Sequence, residues 1–318
     1  MVTAEMIFIG LLQAIGLLAL APLFSGFSRV LRAKMHNRRG PSILQNYRDL
    51  AKLMRRQEVV SSQAGWVFRI TPFVTLAAML LAATIVPMFT VQSPFGWAGD
   101  LILVIYLYAL WRFFFAVSGL ETGSTLGGIG AKRELIMSVL IEPVILLVLF
   151  VMALLAGSTN LGTISTKVAS GQTPFYTSVW LGMLAFAFAT LVEMCKLPFD
   201  LGEAEQELQE GPLAEFSGRS LALMKWGIYL KQVVLVALFL AIFLPFGSLN
   251  LTAAYGTSWL LPAVLAVVVF FLKVAVCYFI LALLENAMAR VRFLKASVAT
   301  WAALGAAILS FVFYLANV

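Results

Sequence analysis

Acidic side chains crowd one short stretch of the chain. Asp200, Glu203, Glu205, Glu207 and Glu210 fall within eleven positions, with Glu193 shortly before them and Glu215 shortly after. Carboxyls at this spacing repel, which raises their pKa values, and burial raises them further toward neutrality. A row of groups that hold and release protons near pH 7 makes a proton wire. The competing reading of a charge run is a solvated loop, which the interspersed Leu201, Ala204 and Leu208 weaken. Asp200 followed by Glu203 is a capping-box pattern and Gly211-Pro212 is a stop, so the spacing predicts a helix over 201–210 with Glu203, Glu207 and Glu210 on one face.

A second set of ionisable residues stands inside apolar runs: Arg112, Glu142, Glu193, Lys225, Lys231 and Lys273, with Glu285 closing the run that holds Lys273. Each costs about 2.5–3.5 kcal/mol at the centre of a bilayer helix and so needs a partner, a wet cavity or a purpose. Arg112 and Lys225 have two open readings, snorkelling to the headgroups or a polar role. Glu142 and Lys273 lie far from either end of their runs and are assigned buried polar roles. Glu142, Glu193, Asp200, Glu203, Glu205, Glu207, Glu210 and Lys273 together form the candidate proton pathway. Redox chemistry is assigned elsewhere: one histidine, His36, and two isolated cysteines, Cys195 and Cys277, do not assemble haem, zinc or iron–sulfur ligands.

The elements that must hold these residues follow from composition. Of 318 residues, 62% are hydrophobic and 12% charged, and the mean hydropathy is +0.97, which leaves too little polar surface for a water-soluble globule. Runs of about 20 apolar residues recur eight times, near 5–28, 70–91, 99–119, 135–157, 177–197, 221–246, 258–284 and 297–317. Backbone groups in lipid must pair within their own segment, so the fold class is all-α: a single polytopic membrane domain of eight helices over 1–318. Pro22, Pro87, Pro143 and Pro245 are expected to kink helices or mark their ends.

The connection 29–69 carries ten Lys/Arg, whereas 91–98 and 247–257 carry none. By the positive-inside rule 29–69, 120–134, 198–220 and 285–296 face the cytoplasm and both termini face the periplasm. The net charge of +7 is then mostly a topological signal, with anionic lipid as neighbour and no nucleic-acid partner. Within 29–69, Arg38-Arg39-Gly40-Pro41 forms a turn, and Ile43, Leu44, Tyr47, Leu50, Ala51, Leu53 and Met54 recur at helical spacing, which predicts an amphipathic helix at the membrane surface or under an acidic docking partner. Gly123, Gly127, Gly128 and Gly130 lack both the preceding strand and the Lys-Ser/Thr of a phosphate loop, and are expected to form a flexible inner loop leading toward Glu142.

The run Leu197-Pro198-Phe199-Asp200-Leu201-Gly202-Glu203-Ala204-Glu205-Gln206-Glu207-Leu208, with Glu215-Phe216-Ser217-Gly218 after it, resembles the signature of the NADH dehydrogenase subunit 1 family, the membrane subunit of respiratory complex I that meets the peripheral arm. The Arg38-Arg39-Gly40-Pro41 turn with Gln45, and Arg133 with Glu142, are similar to further motifs of that family, and the likeness extends over nearly the whole chain. Quinone-reducing members carry a longer insertion after the Gly-Pro turn, where this chain has only Ser42-Ile43, and an Asn-Arg pair where it has Cys195-Lys196. Arg56-Gln57-Glu58-Val59, Glu142-Pro143 and Glu205 through Leu213 instead resemble the family's branch in formate hydrogenlyase and hydrogenase-4, the group 4 nickel–iron hydrogenases.

That resemblance implies a bacterial inner-membrane subunit of an oxidoreductase complex without a redox site of its own. The NiFe centre and 4Fe-4S clusters would reside in partners, a hydrogenase large subunit and an iron–sulfur small subunit on the cytoplasmic side, with antiporter-like subunits alongside in the membrane. It implies that Arg38, Arg39, Gly40, Pro41, Gln45, Arg133 and Glu215 serve the docking surface or its cavity, that 29–69 is a basic docking loop, and that the acidic residues carry protons. Rival readings are a quinone-binding subunit, a purely structural anchor and, least favoured, a freestanding transporter.

Overall fold

The computed structural model describes residues 4–96, 98–172, 176–249 and 260–316. Helices dominate: α1 (Ala4–Met35), α2 (Gln45–Met54), α3 (Trp66–Ile85), α4 (Leu101–Glu121), α5 (Thr125–Ala156), α6 (Leu161–Ala169), α7 (Thr177–Glu193), α8 (Glu205–Leu208), α9 (Gly218–Phe243), α10 (Leu260–Ala287) and α11 (Phe293–Leu315). Among the described residues, seven of these are long and apolar enough to cross a membrane, and the 17 residues of α7 form a shorter apolar helix. At 1.5 Å per residue α7 reaches about 25 Å, within the lower range for a span, so the eight expected spans each correspond to a helix.

Two groups of helices share α9. On one side α1 packs against α3, α9 and α10; on the other α4, α5, α7 and α11 pack in sequence; α3 joins the two through α4. The apolar surface of α9 runs all the way round, which suits a helix buried on every side. Nearly all of its residues from Leu230 to Phe243 are buried. By contrast α10 and α11 keep broad exposed apolar faces, including Leu265, Leu272, Val298 and Trp301, suited to lipid or another membrane chain.

The prolines divide as their backbone chemistry requires. Pro87 and Pro245 follow the ends of α3 and α9, whereas Pro22 and Pro143 lie inside α1 and α5. Pro22 lacks the N–H that would bond the carbonyl four residues back. That carbonyl, of Leu18, accepts a hydrogen bond from Trp226 Nε1 of α9 at 2.7 Å. The same turn also holds α2: Asn46 Nδ2 donates to the Pro22 carbonyl at 3.1 Å, Tyr47 Oη to that of Ala19, and Arg29 to Asn46 Oδ1 at 2.7 Å. The amphipathic helix is therefore present, with Leu50 buried and Arg48, Lys52, Arg55 and Arg56 lining a shallow basic groove.

Two expected local structures differ. Helix α5 begins at Thr125, so most of the glycine-rich segment is helical instead of loop; Ser124 caps it by accepting from the Gly127 N–H. The glycines serve close packing: a Cβ on Gly130 would stand 2.8 Å from the Gly202 carbonyl and 2.9 Å from the Gly211 Cα. The acidic segment forms only the single turn α8, followed by a 3-10 turn over Gly211–Glu215, not a helix over 201–210. Gln209, Glu210 and Gly211 all have left-handed φ values, 49°, 70° and 55°, which ends the helix, and the Asp200 carboxylate bonds Arg290 where the capping-box pattern would have it cap. Glu203 and Glu210 thus flank α8 and do not share a helical face with Glu207.

Candidate functional site

All four connections expected on one side meet at one end of the bundle. Ser217 accepts from the Val59 N–H at 2.8 Å and donates to its carbonyl at 2.7 Å, Ser220 donates to Glu58, and the Val291 N–H donates to the Pro198 carbonyl at 3.0 Å. Between α1, the acidic segment, α9 and the end of α10 they enclose a cavity of about 370 Å³. Its wall is crowded with charge of both signs: Arg29, Arg32, Lys196, Lys225 and Arg290 against Asp200, Glu203, Glu210 and Glu285.

Most of these carboxylates have a cation in place. Asp200 is 2.7 Å from Arg290, Glu210 is 3.4 Å from Lys225, and the buried Glu285 lies 3.1 Å from Arg32 and 3.7 Å from Lys196. Outside the cavity, Arg133 holds Glu207 at 2.6 Å, and this bond keeps the Glu207 carboxyl below the ordinary carboxylate range. Glu203 is the exception. Burial, then the neighbouring carboxyls of Glu134 and Asp200, push its pKa up to about 8, with Lys231 opposing. Among the described residues of the row it is the one brought close to neutrality.

Deeper in the bundle lies a second cluster, buried except at Glu142, which was expected to be buried but keeps 35% of its side chain exposed. Arg112 of α4 is 4% exposed and bridges two carboxylates, Glu193 of α7 at 3.2 Å and Glu142 of α5 at 3.3 Å. Lys231 of α9, 2% exposed, stands 2.9 Å from Glu193 and 3.9 Å above the Trp111 ring. Arg112 does not snorkel; it sits between the two acids. A void of about 20 Å³ lined by Tyr108, Arg112, Glu142 and Glu193 has room for one water molecule. Glu134, buried near the start of α5, accepts a hydrogen bond from the Cys195 thiol at 3.1 Å and lies between this cluster and the cavity wall.

The structure brings together Glu142, Glu193, Asp200, Glu203 and Glu210 in two adjoining groups, with Glu207 and Arg133 at the margin. Glu205 belongs to α8, but its side chain lies outside the described residues. Lys273 stands apart: its ammonium donates to the carbonyls of Leu244 at 2.6 Å and of Phe246, satisfying the last turn of α9 at the opposite end of the bundle. Arg38, Arg39, Gly40 and Pro41 are exposed on the turn between α1 and α2, Gln45 bonds Asp49 at 2.9 Å, and Glu215 sits half-buried in the 3-10 turn. Sequence reasoning passed over Glu134, Lys196 and Arg290. The signal available was charge balance: cations in adjoining apolar segments that need a carboxylate partner.

A bundle of membrane helices with a charged cavity at one end and an ion cluster behind it defines a polytopic all-α membrane protein. The chain belongs to the NADH dehydrogenase family, whose pattern it matches over residues 7–316. It is 50% identical to formate hydrogenlyase subunit 4 of Escherichia coli K12, covering 96% of this chain and 98% of the relative, and 49% identical to hydrogenase-4 component C of the same organism, covering 98% and 96%. An NADH-quinone oxidoreductase subunit of Bartonella henselae is 30% identical over 83% of this chain and 80% of its own. Among solved structures, a chain of the membrane-bound sulfane sulfur reductase, an archaeal respiratory membrane complex, shares the fold with a TM-score of 0.84 at 21% identity, covering 98% of this chain and 99% of that one. This chain is accordingly a membrane-embedded subunit of a multi-subunit complex.

Proposed function

We propose that this protein is the membrane-anchoring and proton-coupling subunit of a formate hydrogenlyase-type nickel–iron hydrogenase complex in a bacterial inner membrane. The two relatives near 50% identity, named as components of formate hydrogenlyase and hydrogenase-4, support the hydrogenase context over the quinone one. So does the cavity, whose wall of charged side chains suits a protein surface and water better than an apolar quinone. The basic end, with the groove on α2 and the Arg38–Pro41 turn, docks the large subunit and the iron–sulfur small subunit; the NiFe centre and 4Fe-4S clusters lie in those partners. Antiporter-like subunits cover part of the exposed apolar helix faces, and both termini face the periplasm.

The observation that carries the coupling role is Glu203, an acid with no bonded cation among the described residues, in the wall of a roomy charged cavity and backed by the buried Glu134 and Glu193, with the half-buried Glu142 beyond them. Turnover in the docked arm changes the local field at the cavity and shifts protons inward from Glu203. Glu142→Gln in the assembled complex is expected to leave hydrogenase activity with an artificial electron carrier intact while lowering ion transport in vesicles. Unchanged transport would overturn the coupling role.

One specific observation favours a second reading, a structural tether: Asp200, Glu142, Glu193, Glu207 and Glu210 each stand within 3.4 Å of a fixed cation. Under that reading, neutralising Glu142 disturbs assembly or nothing, and never coupling alone.

A further inference from the structure

The acidic residues differ in what holds them. A carboxylate between two cations keeps its charge and offers no site for a travelling proton. Glu193 is such a residue, gripped by Arg112 at 3.2 Å and Lys231 at 2.9 Å. Glu134 is not. It is 6% exposed, has no cation within ion-pair distance among the described residues, and has the Cys195 thiol as its hydrogen-bond donor, Sγ to Oε1 at 3.1 Å. Its other oxygen, Oε2, lies against Gly202, where a Cβ would come within 2.9 Å and crowd it.

Position adds to this. Cys195 and Glu203 both line the 370 Å³ cavity, so Glu134 stands one side chain behind its wall. The charged and titratable groups that act on Glu134 come from every element around it: Arg112 of α4, Glu193 and Cys195 at the end of α7, Lys231 of α9 and Glu203 of the acidic segment. Formal charge then sorts its two states. Arg112, Lys231, Glu193 and the half-buried Glu142 sum to zero, so an ionised Glu134 adds one negative charge with no cation of its own, and a protonated Glu134 adds none.

We propose that Glu134 is the proton-holding carboxyl behind Glu203 at the cavity wall, standing beside the Arg112–Glu193–Lys231 cluster, which keeps its own charges, with the Cys195 thiol as its positioning residue. The inference rests on the coupling role proposed above. In the transfer, Glu203 releases its proton to cavity water and becomes a carboxylate; a proton from the same water joins the Glu134 carboxylate, which becomes the acid. Cys195 keeps its own proton throughout. Its left-handed backbone, φ 50°, fixes the direction of the thiol.

The test uses the intact complex in membrane vesicles, with Glu134→Gln, Cys195→Ala, Cys195→Ser and, as reference, Glu142→Gln. Ion transport per hydrogen turned over is measured beside hydrogenase activity with an artificial carrier. On a Cys277→Ser background, the infrared S–H stretch of Cys195 is followed with pH, because a thiol bonded to a carboxylate absorbs at lower frequency than one bonded to a carboxylic acid. Glu134→Gln is expected to cut transport several-fold at unchanged carrier-linked activity, Cys195→Ala to reduce it, and Cys195→Ser, which keeps a donor, to restore it. The S–H band should shift with pH in the parent and stand still in Glu134→Gln. If Glu142→Gln lowers transport while Glu134→Gln leaves it unchanged, or if the band of the parent ignores pH, Glu134 is not the proton-holding carboxyl and the coupling role stands. If neither glutamine variant alters transport, the coupling role falls and this inference with it.

Discussion

Single side chains decide whether the acidic row behaves as a wire or a set of braces. Glu203 illustrates the first case. Its folded pKa of about 8 lies above the ordinary carboxyl value of 4.5. The folded state therefore favours the neutral acid, and the stability tied to that proton is complete below the ordinary value and lost as pH rises from there through about 8. Thermal melts of the purified protein in detergent are expected to show Glu203→Gln equal to the parent in acid and more stable than it at pH values above the folded pKa. Equal melting at both ends of the range would contradict the assignment. Lys231 illustrates the second case. Removing one partner of a buried ion pair costs about 3–5 kcal/mol when the other charge is stranded, and less here, because Glu193 keeps Arg112 at 3.2 Å. Lys231→Met should lower the melting temperature markedly, and Glu193→Gln added to it should recover part of the loss; additive losses would mean the two do not act as a pair.

Between elements, hydrogen bonds to freed backbone groups fix how helices meet. The carbonyl of Leu18 is released by Pro22 and taken by Trp226, which ties α1 to α9 beside the cavity. Trp226→Phe removes the donor and is expected to cost about 1 kcal/mol. Restoring the helical N–H with Pro22→Ala should make that loss smaller, and a double-mutant cycle in detergent melts reads the coupling; a coupling of zero would show the bond contributes nothing. Gly130 sets the seat of the acidic segment against α5. Gly130→Ala forces the Gly202 and Gly211 backbones away, so cross-linking yield between cysteines placed at Arg133 and Glu207 should fall, while an unchanged yield would show the segment is held from elsewhere.

At the scale of the whole molecule, much of the architecture was legible because lipid imposes simple rules. Eight apolar runs gave eight helices, and the periodicity from Ile43 to Met54 gave α2. What the pattern missed has local causes. A 201–210 helix was written into Asp200, Glu203 and Gly211-Pro212, yet Arg290, ninety residues away, claims the Asp200 carboxylate, and three left-handed residues stop the turn. The glycines of 123–130 read as looseness, but most of them are helical, and Gly130 lacks a side chain where Gly202 and Gly211 of the acidic segment pack against α5. Arg112 left two readings open because snorkelling depends on what stands opposite, and Glu142 and Glu193 come from other helices. Lys273 was placed on the proton route by its depth in an apolar run; in the structure it stands apart from the acids, donating to the Leu244 and Phe246 carbonyls just past α9. The residues best placed to carry protons, Glu203 and Glu134, are recognised by having no bonded cation among the described residues, a property no spacing reveals.

In the proposed coupling role, an acid in the cavity wall passes protons inward when the attached enzyme turns over. The most direct measurement is ion uptake by membrane vesicles holding the assembled complex, parent against Glu203→Gln, normalised to hydrogenase turnover. Turnover with an artificial carrier is expected to persist and uptake per turnover to collapse. Uptake per turnover equal to the parent's would show that the charged cavity serves only to seat its partners.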